Sequence, residues 1–148
     1  MRRAGWLRVA LAAGPALLAA WFVWGCGGPE GPQRAAVQGT VTLDGQPIAE
    51  GTITFYPTGD TRGPSAGGEI RDGAYSLAAA KGPVVGTCRV EIRARRKTGQ
   101  TVMVGGIETE QLEQYIPARY NTRSTLTARI EPGRHSIDFP LSSQEGSQ

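Results

Sequence analysis

The chain has 148 residues, room for one ordinary domain, with 21 Gly, 10 Pro, 2 Cys and a single His. Its formal charge of +3 is set by the first eight residues: Arg2, Arg3 and Arg8 are three of the sixteen cations, and the other thirteen are balanced by thirteen carboxylates. A neutral body has no field to steer it onto nucleic acid, and Gly and Pro without a triplet period exclude collagen and mark many tight turns.

Residues 9–25 are an uncharged run of mostly Ala, Leu, Val and Trp behind those three arginines, the pattern of a cleavable export signal. The run is short of the roughly 20 residues that a spanning helix needs, and Gly14-Pro15 would kink it. A helical signal peptide over 1–25 is therefore predicted. Val23-Trp24-Gly25-Cys26 resembles the lipobox of bacterial lipoproteins, with Trp24 where a small residue is usual. The resemblance implies that Cys26 becomes a lipidated N-terminus, and the Gly- and Pro-rich stretch behind it makes 26–36 a flexible tether. Cys88 is then left without a disulfide partner, so stability rests on packing.

From Val37 the apolar pattern has period two. Strands are predicted over 37–43 and 51–56, with Asp44-Gly45-Gln46-Pro47 turning between them and Pro57 ending the second. Residues 68–71 and 74–77 flank Asp72-Gly73, a strong hairpin signal. Over 87–95, Cys88, Val90, Ile92 and Ala94 take one face and Arg89, Glu91, Arg93 and Arg95 the other. The last two strands, 126–130 and 136–141, are predicted to pair across Glu131-Pro132-Gly133-Arg134, with Ile137, Phe139 and Leu141 inward. Seven short strands without sustained helical periodicity predict an all-β, seven-stranded antiparallel sandwich of transthyretin-like or immunoglobulin-like form over 37–142, with a disordered tail at 143–148.

The long connection 96–119 breaks the rhythm, and loops of that length tend to be functional. Thr109 is placed to cap a short helix through Glu110, Gln111, Leu112, Glu113, Gln114 and Tyr115, with Leu112 and Ile116 tucked beneath it and Pro117 as the stop. As a binding lip it would offer Arg96, Lys97, Glu108, Glu110, Glu113 and Tyr115; otherwise it would cover an open sheet edge. Its opposite charges either pair with one another or receive an anionic ligand.

Several segments in this order resemble a family: Gly39-Thr40-Val41, Leu43-Asp44-Gly45-Gln46-Pro47-Ile48, Gly51-Thr52-Ile53-Thr54-Phe55-Tyr56-Pro57 and Asp72-Gly73-Ala74-Tyr75-Ser76-Leu77. Val90-Glu91-Ile92, Ile116-Pro117-Ala118-Arg119-Tyr120-Asn121, Ser124-Thr125-Leu126-Thr127 and Asp138-Phe139 complete the pattern. Together they are similar to small bacterial secreted lipoproteins bearing a carboxypeptidase-regulatory-like, transthyretin-like sandwich. The resemblance implies a fold and an exported, membrane-anchored location in the cell envelope, and it implies no catalytic residues. Cys88 departs from the family, where a polar or aromatic residue is more usual.

Chemistry is sparse. Gly63-Pro64-Ser65-Ala66-Gly67 spells a nucleophile-elbow pattern, but Pro64 precedes the serine and a strand, not a helix, follows. His135, expected at a solvent-facing turn, is the one histidine, too few for an acid–base pair or for most metal sites. The sequence thus predicts a non-enzyme with no cofactor and no metal. Its partners would be the membrane, through the lipid, and envelope proteins, or glycans if Tyr56, Tyr75, Tyr115 and Tyr120 formed an exposed aromatic surface.

Overall fold

A computed structural model describes residues 31–144, and both the signal and Cys26 lie outside that range. Eleven strands occur among the described residues: β1 (Ala36–Leu43), β2 (Gln46–Pro47), β3 (Glu50–Pro57), β4 (Ala66–Arg71), β5 (Ala74–Leu77), β6 (Gly86–Arg93), β7 (Arg95–Val104), β8 (Ile107–Gln114), β9 (Thr127–Ile130), β10 (Arg134–Ser136) and β11 (Phe139–Leu141). Nine form one curled sheet in the order β10-β1-β5-β4-β3-β6-β9, with β2 and β11 also pairing β1; β7 and β8 form a second, two-stranded sheet. The all-β sandwich expected from the alternation is what the chain adopts.

Local chemistry accounts for the hairpins. Asp72 and Gly73 have φ of 49° and 76°, the left-handed pair that matches strand twist, and Asp44-Gly45 repeats the geometry between β1 and β2. On β6 the alternation is realised in full: Cys88, Val90 and Ile92, with Ala94 just beyond, are all buried. Glu91, on the outer face, is nevertheless only 7% exposed, because Arg89 (2.9 Å) and Arg93 (3.0 Å) close over its carboxylate.

The expected pairing of the last two strands is corrected. β9 pairs β6 antiparallel, while β10 and β11 cross to β1 and run parallel to it. Two contacts explain the choice. The carboxylate of Asp138, between β10 and β11, accepts from the Thr40 N–H (2.7 Å) and the Thr40 hydroxyl (2.8 Å), and Phe139 then joins the core aromatics. Phe139 and Leu141 face inward as predicted, and Ile137 is partly buried against them.

Phe55 of β3, Tyr75 of β5 and Phe139 of β11 have ring centroids 6.2–6.4 Å apart, and the Tyr75 hydroxyl donates to the Ile137 carbonyl at 2.7 Å. The sheet therefore closes its faces on an aromatic centre. Gly39 sits where this closure is tightest: a Cβ there would lie 2.0 Å from the Ile137 carbonyl oxygen.

The domain also begins earlier and ends later than expected. Val85 donates to Gln33 (2.8 Å), Arg34 to the Gly82 carbonyl (2.7 Å) and Ala35, fully buried, to Pro83 (3.0 Å), so the segment assigned to the tether joins the sandwich from Gln33 onward. At the other end Ser142 donates to the Tyr120 hydroxyl (3.2 Å) and Ser143 to Asp44 (2.9 Å), which ties down the start of the segment expected to be a tail; residues 145–148 lie outside the described range.

Strand register fixes which end is which. β1 starts beside the end of β5 (Val37 opposite Leu77), β5 starts beside the end of β4, β4 ends beside the start of β3, and β3 starts beside the end of β6 (Thr52 opposite Arg93). The chain thus enters the sandwich at one end, and β6 hands over to β7 at the other.

Three consequences are measurable. Gly39→Ala should cost about 1–3 kcal/mol, the range for overpacking, and Phe55→Ala about 3–5 kcal/mol, both read from urea unfolding midpoints. The Thr40 N–H and hydroxyl hold the Asp138 carboxyl below its ordinary value. A depressed folded value contributes stability above the unfolded value, about 3.9, and loses it as pH falls through the folded one. Asp138→Asn should therefore be less stable than wild type at pH 7, with the difference between the two melting curves shrinking as pH falls through the depressed value of the folded carboxyl.

Candidate functional site

The long connection is not a helix. Residues 95–104 and 107–114 form a β-hairpin, with Arg95 opposite Gln114, Arg96 opposite Glu113 and Val104 opposite Ile107. The helical reading fails because Glu, Gln and Leu favour a helix only weakly, and the turn before them imposes strand pairing. Gly105 and Gly106 have φ of 58° and 85°, a two-residue turn that sets Val104 against Ile107 and extends β8 through the segment. Gly-Gly between β-branched residues was the available signal. Among the described residues the hairpin pairs with no other strand, and it covers no edge of the main sheet by strand pairing.

Its base is built into the domain. Ala94 is buried, Tyr115 donates to the Ala94 carbonyl at 3.3 Å, and Ile116 is 3% exposed in the core. Beyond the base, every residue of β7 and β8 is exposed. Leu112, expected under a helix, is 53% exposed, and Val102, Met103, Val104 and Ile107 complete the set of exposed large apolar side chains among the described residues. The last four cluster at the tip and were not foreseen as functional. By strand alternation Val102, Val104 and Ile107 share one face of the hairpin and Met103 takes the other.

The predicted charges are brought together as pairs. Arg96 meets Glu113 at 3.2 Å, Lys97 pairs with Glu110, and Glu108 accepts from the Thr101 hydroxyl at 2.9 Å. The Arg96 guanidinium also lies 5.6 Å over the half-buried Tyr115 ring. Burial raises the Tyr115 hydroxyl above its ordinary pKa, and the nearby Arg96 charge opposes that. A groove of 1180 Å³ opens between the hairpin base and the ends of β3, β4 and β6, lined by Glu50, Arg71, Arg93, Arg95, Lys97 and Leu112 among others. Its cations are largely engaged: Arg71 with Glu69, Arg93 with Glu91, and Lys97 with Glu110. Among the described residues no buried side-chain polar atom lacks a partner, and no three His, Cys, Asp or Glu residues are grouped to hold a metal.

The remaining candidates are dispersed. Ser65 is exposed and runs directly into β4. His135 is half-buried in β10 rather than free at a turn, with Nε2 2.8 Å from the Glu131 carbonyl. Tyr75 is buried; Tyr56 and Tyr120, each half-buried, carry Arg89 (5.1 Å) and Arg119 (4.8 Å) over their rings as Tyr115 carries Arg96. Cys88 is a free, fully buried thiol whose pKa is pushed up by burial, an inert core residue.

No family model and no curated protein matches the chain. Among solved structures it is similar to the crystal structure of a DUF3823 family protein from Parabacteroides merdae ATCC 43184, at 15% identity and a TM-score of 0.39. The alignment covers 74% of this chain and 46% of that one, so the chain spans under half its length.

The segment after the hairpin belongs to the fold. Asn121, 4% exposed, donates to the Ile116 (3.0 Å) and Pro117 (3.2 Å) carbonyls, Ser124 bonds the Val90 carbonyl, and Arg119 holds the Ser142 carbonyl. This divides the 96–119 connection sharply. Replacing 96–113 by Asn-Gly across the Arg95–Gln114 pair should leave the unfolding free energy from urea titration within about 0.5 kcal/mol of wild type, whereas Ile116→Ala should cost about 2–5 kcal/mol.

Proposed function

We propose that the chain is an exported, non-catalytic envelope lipoprotein, anchored through an acylated Cys26, whose sandwich holds the β7–β8 hairpin up as a protein-contact element. The observation that carries this is the hairpin itself: wholly exposed beyond its base, apolar at its tip, and leaving the sandwich at the end opposite the one where the chain enters. With Gln33 already bound into the domain, six residues, 27–32, separate Cys26 from the sandwich, a reach of at most about 25 Å. An anchor that short keeps the entry end at the bilayer and turns the hairpin away from it. Exposed apolar clusters of this kind mark contact sites on soluble surfaces.

Non-catalysis is supported by the separation of Ser65 and His135 into unrelated settings, a strand entry and a carbonyl-bound ring in β10. The glycan reading has less support, because three of the four tyrosines have a guanidinium over the ring where a sugar would stack and the fourth is in the core.

A photo-crosslinking residue at Met103 in living cells tests this reading, with one at Thr127 on the sheet edge as control. A discrete protein adduct from position 103, absent from 127 and lost in Val104→Lys/Ile107→Lys, is expected. No adduct from position 103, or equal adducts from both, would refute the contact role, and a chain that stays unacylated in a Cys26→Ser comparison would refute the anchor.

A further inference from the structure

The contact role of the hairpin leaves its partner unnamed, and the distribution of charge between its two strands supplies one. β7 carries Arg95, Arg96 and Lys97 and no carboxylate; β8 carries Glu108, Glu110 and Glu113 and no cation. Among the described residues each strand has one free edge, since the two pair only with each other. The hairpin therefore has a basic edge and an acidic edge. A two-stranded sheet is marginal in water and gains from a third strand, yet neither edge here bears the proline that protects such edges.

We propose that the partner of the hairpin is the hairpin of a second copy of this chain, β7 of one lying beside β8 of the next; this rests on the contact role argued above. Charge selects that arrangement. A two-fold pairing of β8 with β8 would set Glu108, Glu110 and Glu113 against their own copies, and β7 with β7 would set three cations against three. Like charges directly opposite one another destabilise a sheet, and opposite charges stabilise it. Pairing β7 with β8 places unlike charges together throughout.

The same pairing satisfies orientation. Copies anchored at the same end in one membrane stand with their hairpins pointing the same way, and the strands of adjacent hairpins that then meet are antiparallel. A translated neighbour repeats the internal register, with Arg96 level with Glu113 and Val104 level with Ile107. Each row of side chains continues from copy to copy: charges alternate along the base, and Val102, Val104 and Ile107 merge into one apolar ribbon near the tip. The irregularity of β7 between Lys97 and Thr101 limits the continuous ladder to Thr101–Val104 against Ile107–Glu110, with the ion pairs below it. Such a contact joins different surfaces of the two copies, so it grows a row instead of closing a dimer.

Sedimentation of the full acylated chain in detergent tests this. Mass should rise with concentration without stopping at two copies. The variants Arg96→Glu/Lys97→Glu and Glu110→Lys/Glu113→Lys should each lower self-association about tenfold, the cumulative effect of several cross-strand charge pairs. Mixed one to one they should associate with each other again, because the reversed β7 edge of one now meets the reversed β8 edge of the other. The chain carrying all four changes keeps every internal ion pair with inverted sign and should associate like wild type. All variants share the anchor, so the micelle contributes equally to each. A monomer at every concentration up to about 1 mM, a mass that stops at two copies, or association indifferent to the charge reversals would overturn the proposal. If the chain remains monomeric while Met103 still crosslinks to a different protein, self-pairing is wrong and the contact role stands; loss of both removes both.

Discussion

Phe55, Tyr75 and Phe139 come from strands that lie apart in the sheet order, and their rings can meet only if the sheet curls over and lays β11 against β3. The Tyr75 hydroxyl secures that closure by donating to the Ile137 carbonyl, so the same residue supplies core area and a buried hydrogen bond. The demand then propagates along β1. Because the 137–139 segment crosses this strand closely, position 39 must lack a Cβ, and Thr40 must present its N–H and hydroxyl to Asp138. The glycine and threonine of the Gly39-Thr40-Val41 segment are thereby accounted for by a contact nearly a hundred residues away.

Closure also explains why the hairpin stands free. With β10 and β11 committed to β1 and β9 to β6, the main sheet has its strands and its core without residues 95–114. The hairpin is attached at two points, the Ala94–Tyr115 hydrogen bond and the buried Ile116, and contributes no side chain of its own to the interior. Eighteen residues held in ladder geometry without burying a core face bring little stability to the domain. Their apolar tip and their segregation of charge therefore call for an explanation outside the monomer.

What was legible in the sequence divides along the range of the interaction. Asp72-Gly73 and the alternation of Cys88, Val90, Ile92 and Ala94 are local signals, and the structure honours them residue by residue. The order of pairing at the C-terminus was not legible. Glu131-Pro132-Gly133-Arg134 resembles a hairpin turn, yet the Gly133 carbonyl accepts from Ala36, and the chain crosses to a strand nearly a hundred residues earlier. A parallel pairing leaves no turn signature to read. At the hairpin the failure was one of weighting: Glu, Gln and Leu favour helices in isolation, while two glycines with positive φ determine the geometry on either side of them. The charged residues of that binding surface do come together, largely as partners of one another, while the apolar residues between Lys97 and Glu108 carry no periodicity in a segment that reads as loop.

An exposed two-stranded sheet with free edges is ordinarily a hazard, and chains blunt it with proline or with charges that repel any added strand. Here the charges are present but sorted by strand, cations on β7 and carboxylates on β8. Sorting changes their effect. A mixed edge repels and attracts a neighbour about equally, whereas an edge of one sign excludes its own kind and admits its opposite. Two-fold pairing is thus disfavoured by the same residues that favour a translated neighbour, and under the proposed anchoring, in which copies would share one orientation, the translated neighbour is the one that diffusion would present.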